Sequence, residues 1–279
     1  MGIAMSKPER GIVEHYTKSG LFDRIIGAIE KLGKTAGTIE PEDLKPVDEF
    51  HIGGIEATEE LLAQLEIGIS TRVLDIGSGI GGTTRHIVTR YGADVTGLDL
   101  TPEFVDTARR LTELVGLSAE FRVGSALEMP FDAKQFNVAT LMHVGMNLPD
   151  KPKLFAEVQR VLRPGGKFAI FDIMQIGPNH PNFPLPWSSA PETSFLEKPK
   201  TYLDAAAAVG FTLTARRDRG DFAREFFKKL SASLAGSAPP PLGLGLLMGE
   251  ETQTKVGNMV AAVSAGDVAP VEMIFSGPN

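Results

Sequence analysis

The chain has 279 residues, 42% of them hydrophobic, and a formal net charge of −7. That is enough apolar material for one elaborated domain or for a domain with a cap. The acidic balance disfavours nucleic acid as a partner, because the basic cluster Arg216, Arg217 and Arg219 is interleaved with Asp218 and Asp221 and reads as a solvated turn. Without cysteine there are no disulfides, thiolate nucleophiles or cysteine zinc sites. No apolar run approaches the roughly 18 residues of a membrane span, so a cytoplasmic protein is expected. Gly2 and Ser6 match the spacing of a lipidation signal, but Met5 makes an extra start sequence the plainer reading.

Taken in chain order, residues 9–33 read as a helix, with Ile12, Val13, Leu21, Ile25, Ile26, Ile29 and Leu32 close to a 3.6-residue stripe, and residues 56–66 read as a second. We expect residues 1–67 to form a helical cap and residues 68–279 the main domain. In the cap, Tyr16 is placed either to bring a hydroxyl over a ligand or to pack half-buried. His51 precedes Gly53 and Gly54, a pair that allows close approach of a ligand or simply forms a turn.

From Arg72 onward strands and helices alternate, with strands at 72–75, 93–100, 120–123, 136–142 and 167–173 and helices at 102–115 and 151–162. Such alternation implies a parallel α/β sheet with helices on both faces. Thr101 with Pro102 reads as a helix N-cap and first turn. Pro164, Gly165 and Gly166 read as the stop of a helix before a strand. Residues 174–198 hold several prolines and no period, so they are expected to be a functional loop whose Phe183, Trp187 and Phe195 wall a substrate pocket, or a stiff connector. A helix over 200–209, a strand over 211–215, a helix over 221–234 broken by Pro239 to Pro241, an apolar helical stretch around 260–263 and a final strand over 270–275 follow. Lid insertions are expected near 174–198 and 221–264, with the apolar stretch Leu242–Met248 part of the second.

The segment from Thr71 to Thr101 is the most specific. A strand ends in Asp75, then Gly77, Ser78, Gly79, Gly81 and Gly82 make a sharp turn, and a second strand ends in Asp99, 22 residues after Gly77. Glycines allow a ligand to lie on bare backbone, and an acid at that separation suits the hydroxyls of an adenosine ribose. Gly77, Gly79 and Gly82 also satisfy the G-x-G-x-x-G spacing of dinucleotide binders, which leaves NAD open on the turn alone. Asp75 points the other way, since a carboxylate beside the turn repels a pyrophosphate and attracts an ammonium or sulfonium.

LDIGSGIGG, GLDLT, MPFDAKQFN and VLRPGGKFAIFDI together resemble the class I S-adenosylmethionine-dependent methyltransferases over roughly residues 70–175. VDEFHIGGIEAT, MHVGMNLPDK and FPLPWSSAPETSFL resemble a bacterial small-molecule branch that includes sarcosine/dimethylglycine-type and quinone-biosynthesis methyltransferases. The resemblance implies a Rossmann-like, seven-stranded, mostly parallel sheet whose last strand is antiparallel. It also implies S-adenosyl-L-methionine as cofactor, with S-adenosyl-L-homocysteine as product. Tyr16, His51, Gly53, Asp75, Gly77, Ser78, Gly79, Asp99, Leu100, Ser125, Ala126 and His143 are the expected cofactor contacts. Gly124 and Ser125 depart from the family pattern, which has an acid here for the adenine amine, so adenine selectivity is expected to fall to backbone groups of Ala126 and Leu127.

Methyl transfer needs alignment above all, and a base only when the nucleophile is protonated. His143 is the candidate base or, equally, a cofactor contact, and Asp172 is either its dyad partner or a strand-end cap. Met146 and Asn147, in the same loop as His143, are expected to reach the acceptor. His15, His86 and His180 have no metal-ligand spacing and read as surface residues, so no metal is expected. The Pro-rich loop has no arginine for a carboxylate clamp, which favours an apolar or aromatic small-molecule acceptor, although Arg10 or Arg24 of the cap could supply one. Two alternatives stay open: an amino acid N-methyltransferase, and a fold relative that uses the cofactor for cyclisation or rearrangement. Monomer and homodimer are both compatible with the sequence.

Overall fold

Strand β1 (Arg72–Ile76) shows how the sheet acquires two covered faces. Side chains alternate across a strand, so Leu74 and Ile76 join Leu154, Phe155 and Phe168 in one cluster, while Val73 joins Leu61, Leu62 and Ile87 in another. Asp75 therefore shares the face of Val73 and ends up at the strand's carboxyl edge. The computed structural model describes residues 5–17, 19–234 and 240–279, so Gly2 and Pro239 lie outside the described residues.

Among the described residues four α-helices precede β1: α1 (Lys7–Tyr16), α2 (Leu21–Lys31), α3 (Pro41–Asp48) and α4 (Gly54–Leu62). The single helix expected over 9–33 is in fact two. Thr17 leaves the helix in extended conformation and Gly20, with φ 73°, starts the next. Helix α3 was not expected from the sequence; it opens on Pro41, where a missing N–H is harmless, and buries only Leu44 and Val47, too short a stripe to show a period.

After β1 come α5 (Gly82–Tyr91), β2 (Asp94–Asp99), α6 (Pro102–Leu114), β3 (Glu120–Val123), β4 (Phe136–Met142), α7 (Lys151–Val161), β5 (Leu162–Gln175), α8 (Pro199–Ala208) and β6 (Thr212–Asp218). Helices α9 (Gly220–Leu234), α10 (Gly245–Met248) and α11 (Thr252–Ala265) lead to β7 (Val268–Ser276). The strand order is β3-β2-β1-β4-β5-β7-β6, with the first five strands parallel and β7 antiparallel to both β5 and β6. This is the expected seven-stranded sheet with its antiparallel last strand. The chain departs in opposite directions from β1 and β4, which opens a crevice at their carboxyl ends where open α/β sheets bind ligands.

Several local expectations change. The strand β5 begins at Leu162, and the register slips from Phe136↔Leu162 to Val138↔Lys167, so Pro164 to Gly166 bulge from a strand instead of preceding it. Thr101 is the N-cap of α6 but makes no capping bond; its side chain turns to Asp99. Arg217 and Arg219 are not a solvated turn: Arg217 Nε lies 2.8 Å from Glu272 Oε1, and Arg219, only 7% exposed, pairs with Glu60. His15 is bonded to Pro186 O at 3.1 Å and to Ser189 at 3.3 Å, tying α1 to the Pro-rich loop.

A buried ion pair, Arg85 Nη2 to Asp48 Oδ1 at 2.5 Å, ties the end of α3 to α5. Burial pushes the Asp48 carboxyl up to about 6 against the pull of Arg85. Arg85 also donates to Ile80 O at 2.8 Å and Thr112 Oγ1 at 3.1 Å, so the guanidinium joins the end of α3 to the glycine turn and to α6. Among the described residues no helix is long and apolar enough to cross a membrane.

Candidate active site

The turn between β1 and α5 floors a cavity of about 120 Å³ at the crevice. Asp75, Gly77, Ser78, Gly79, Asp99, Leu100, Ser125, Ala126, Tyr16, His51 and His143 all line it. Gly53 does not: with φ 95° it starts α4, and a Cβ there would strike the Phe222 ring, so its bareness serves packing. Gly77 is also covered, because a Cβ would collide with Val144, whereas Gly79, at φ 53°, has nothing within 4 Å. Open backbone is thus offered at Gly79.

Asp75 is held from two sides, by Thr84 Oγ1 at 2.8 Å from α5 and by Thr140 Oγ1 at 3.0 Å from β4. Burial raises its carboxyl to about 6 despite those bonds. A nearby cation would restore the ionised form, which is how a buried acid recognises an ammonium. Asp99 accepts from Gly79 N at 2.9 Å and Thr101 N at 2.8 Å, and burial likewise raises it. Both bonds fix the carboxylate at the end of β2, and Leu100 and Thr101 continue the wall.

Beyond this groove lies a second cavity, of about 250 Å³, whose walls include Met146, Trp187, Phe226, Phe227, Leu230 and Met259. Tyr16, Phe50, His51 and His143 line both spaces and form the partition between them. Of the expected acceptor contacts, Met146 and Trp187 reach this chamber. Asn147 faces the groove, where its Nδ2 donates to Tyr16 Oη at 3.3 Å. Phe183 packs behind Trp187 and Leu185, and Phe195 is used through its backbone, N–H to Met146 O at 2.8 Å, so neither lines the chamber. Leu244, Met248 at the end of α10 and the helices α9 and α11 complete its wall.

The His143–Asp172 dyad does not form. Asp172, fully buried, accepts from Tyr202 Oη at 2.6 Å and from Ile173 N at 3.1 Å, and lies on neither cavity wall. Burial pushes its carboxyl up to about 7. His143 instead stacks on Phe171, with ring centroids 5.2 Å apart, and its buried Nε2 has no partner. Burial, then the neighbouring His51, hold its imidazole well below the ordinary range, so the ring is neutral. Its backbone sits at φ 54°, a left-handed conformation that non-glycine residues adopt mainly where the surroundings impose it. Its N–H continues the β4–β5 ladder, donating to Phe171 O at 2.8 Å.

The carboxylate–imidazole pair sits elsewhere, between Glu49 and His51. Glu49 Oε2 lies 2.8 Å from His51 Nε2 and accepts from Thr58 Oγ1 at 2.8 Å. Burial works to raise Glu49, but the hydrogen bond and charge of His51 outweigh it and hold the carboxyl below its usual range. On the other side of the ring, Nδ1 lies 3.4 Å from Ile52 O, a contact in which the nitrogen can only donate. The His51 and His143 rings meet edge to face at 5.7 Å. Sequence alone pointed at His51 but not at Glu49, because two residues apart on an irregular segment no spacing rule pairs them. Among the described residues no group of three or more His, Asp or Glu is placed to hold a metal ion.

Residues 74–170, which contain this turn and both acids, match the family described as a methyltransferase domain. Tocopherol O-methyltransferase of Arabidopsis thaliana is 37% identical over 101 residues, covering 36% of this chain and 29% of that protein. The 2-methyl-6-phytyl-1,4-hydroquinone methyltransferase of Synechocystis is 37% identical over 102 residues, covering 37% of this chain and 32% of that protein. The matched segment thus spans under a third of each relative's length. The geranyl diphosphate C-methyltransferase of Streptomyces coelicolor, 18% identical, shares the fold with a TM-score of 0.70 over 99% of both chains. Residues 74–170 thus match a methyltransferase domain, and the glycine turn, the acids that close β1 and β2 and the strand order β3-β2-β1-β4-β5-β7-β6 are those of a Rossmann-like methyltransferase fold.

Proposed function

We propose that the protein transfers a methyl group from S-adenosyl-L-methionine to a small, largely apolar acceptor. The observation that carries this reading is the pair of adjoining cavities: a polar groove over Gly79 with Asp75 and Asp99, and an apolar chamber, divided only by Tyr16, Phe50, His51 and His143. The groove fits the cofactor. Two carboxylates suit its ammonium and its ribose, and Ser78 Oγ and Asn147 Oδ1 are buried there without partners. When bound, the cofactor supplies an electrophilic methyl on a sulfonium. A neutral His143 adds no positive charge beside that centre.

Among the described residues the chamber wall carries Lys45, Glu49 and the two histidines as its titratable groups apart from Tyr16, and no arginine. Arg10 and Arg24, the candidates for a carboxylate clamp, bond to the carbonyls of Met5 and Ser19. That counts against an amino acid acceptor and for one with an apolar body. His51, poised by Glu49, takes the proton of an acceptor hydroxyl in this reading, the role expected above of His143 with Asp172. We also propose a cytoplasmic protein, monomer or homodimer, that handles free small molecules and no nucleic acid, in keeping with its acidic charge and lack of cysteine.

The test is calorimetric titration with S-adenosylmethionine, S-adenosylhomocysteine and NAD, followed by mass spectrometry of prenylated and alkylated phenols incubated with enzyme and cofactor. Binding of both adenosylated ligands and a product heavier by one methylene supports the reading. Binding of NAD alone refutes it. In the same assay Glu49→Gln should slow product formation while leaving cofactor affinity unchanged.

A further inference from the structure

At the end of β3 the chain has Gly124 and Ser125 where a purine-amine acceptor would be expected, and the neutral Ser125 hydroxyl is already engaged by its own loop. Its Oγ accepts from Leu127 N at 3.0 Å. Beside it stands the Glu9 carboxylate, which comes from α1, more than a hundred residues away in sequence, and which lines the same groove. The backbone N–H of Leu127, expected above to read the base, is thereby occupied. Glu9 is 8% exposed and lines the groove together with Leu100, Thr101, Ser125 and Ala126.

A carboxylate offers about four lone-pair sites and no donor. On Glu9 two are used by Ser6, N and Oγ each at 2.7 Å from Oε2, so both fall on one of its two oxygens. Burial works to raise this carboxyl, yet the bonds from Ser125 and Ser6 keep it below the usual range, so it is ionised at neutral pH. It remains an acceptor with capacity to spare, at the end of the groove beyond Asp99.

We infer that Glu9 is the acid that reads the exocyclic amine of the cofactor's adenine, supplied by the N-terminal helix in place of a residue at the end of β3. This rests on the cofactor reading above. It also gives α1 a purpose beyond covering the groove: the helix carries Glu9 to the base and Tyr16 to the partition, so the cofactor can be fully recognised only with α1 docked. The plainer role of Glu9, the capping box with Ser6 that starts α1, concerns the helix and is indifferent to the base.

The two roles separate by selectivity. Calorimetry would compare S-adenosylhomocysteine with its 6-deamino analogue, which keeps every ring nitrogen and lacks only the amine. Wild type should prefer the amine by about tenfold or more, as for a charge-assisted hydrogen bond. Glu9→Ala should compress that ratio to below about threefold, while Ser6→Ala, which breaks the cap alone, should keep it. Glu9→Gln, which retains an acceptor oxygen but no charge, should fall between them and guards against a loss of folding in the alanine variant. An unchanged ratio in Glu9→Ala, with tight binding of both ligands, would overturn the inference and leave the cofactor reading standing. Failure of wild type to bind S-adenosylhomocysteine would overturn both.

Discussion

Asp172 is buried where ionisation is costly, and that cost has a pH signature. Its carboxyl stands at about 7 in the folded protein, raised by burial against the bond from Tyr202 and the charge of Lys151, compared with about 3.9 in an unfolded chain. Between those values the native state holds a proton that the unfolded state has released, so stability falls as pH rises from about 4 to about 7 and then levels. Asp48 and Asp75, each at about 6, act in the same direction over a narrower window. In Asp172→Asn the amide oxygen can still take the Ile173 N–H and its NH2 can donate to Tyr202, with no charge to develop. The variant should lose part of the decline, and its advantage over wild type should grow through that window to the order of a few kcal/mol. Urea unfolding at about pH 4.5, 6 and 7.5 measures this; parallel curves for the two proteins would mean that the native carboxyl is already ionised. The sequence showed Asp172 as an acid at the end of a strand but not its partner. Tyr202 lies thirty residues on and meets it only because α8 folds back under β5. Asp75 and Asp99, by contrast, were readable because the strand–turn–helix spacing itself fixes where they end.

At the level of elements, the junction of α3 with α5 holds the segment before β1 against the glycine turn. Gly82 has ordinary helical geometry, so its importance is steric: a Cβ there would meet the carbonyl of Asp48 and come within 2.7 Å of its carbonyl carbon. Backbone cannot swing aside like a side chain. Gly82→Ala should therefore push α3 away and stretch the Asp48–Arg85 pair, costing about 1 to 3 kcal/mol as overpacking does. It should expose the segment before β1 to limited proteolysis sooner than the sheet. Gly79→Ala is the contrast. Nothing lies within 4 Å of its Cβ, so the cost is the left-handed backbone alone, about 1 kcal/mol, and that segment should stay protected. Equal protection in the two variants would show that the junction does not depend on the close approach at Gly82. The glycine run was legible as a turn, yet the sequence could not divide its labour: Gly79 faces the groove, Gly77 receives Val144 and Gly82 receives α3. Those partners come from elements whose placement no local pattern reveals, and α3 itself was too short to register as a helix.

For the molecule as a whole, the two cavities share walls, and shared walls imply coupling. Tyr16, Phe50, His51 and His143 each touch both spaces, so a ligand that orders them from the groove lowers the cost of ordering them from the chamber. Linkage makes the effect reciprocal. The chamber was the least legible part of the protein. Its walls are drawn from α3, α9, α10, α11 and the Pro-rich loop, and apolar residues such as Phe227 and Met259 at helical spacing look the same whether they fill a core or surround a space. The single tryptophan of the chain, Trp187, lies on that wall with its Nε1 bonded to Ser194 Oγ at 3.0 Å, so its emission reports occupancy directly. Titration of the protein with 4-heptylphenol should shift that emission, and saturation with S-adenosylhomocysteine should tighten the phenol's affinity by at least about fivefold, the lower range of such coupling. The phenol should then tighten S-adenosylhomocysteine by the same factor. A phenol affinity indifferent to the second ligand would mean that the partition is rigid and the chambers independent, in which case the acceptor could bind in either order and the four shared side chains would serve alignment alone.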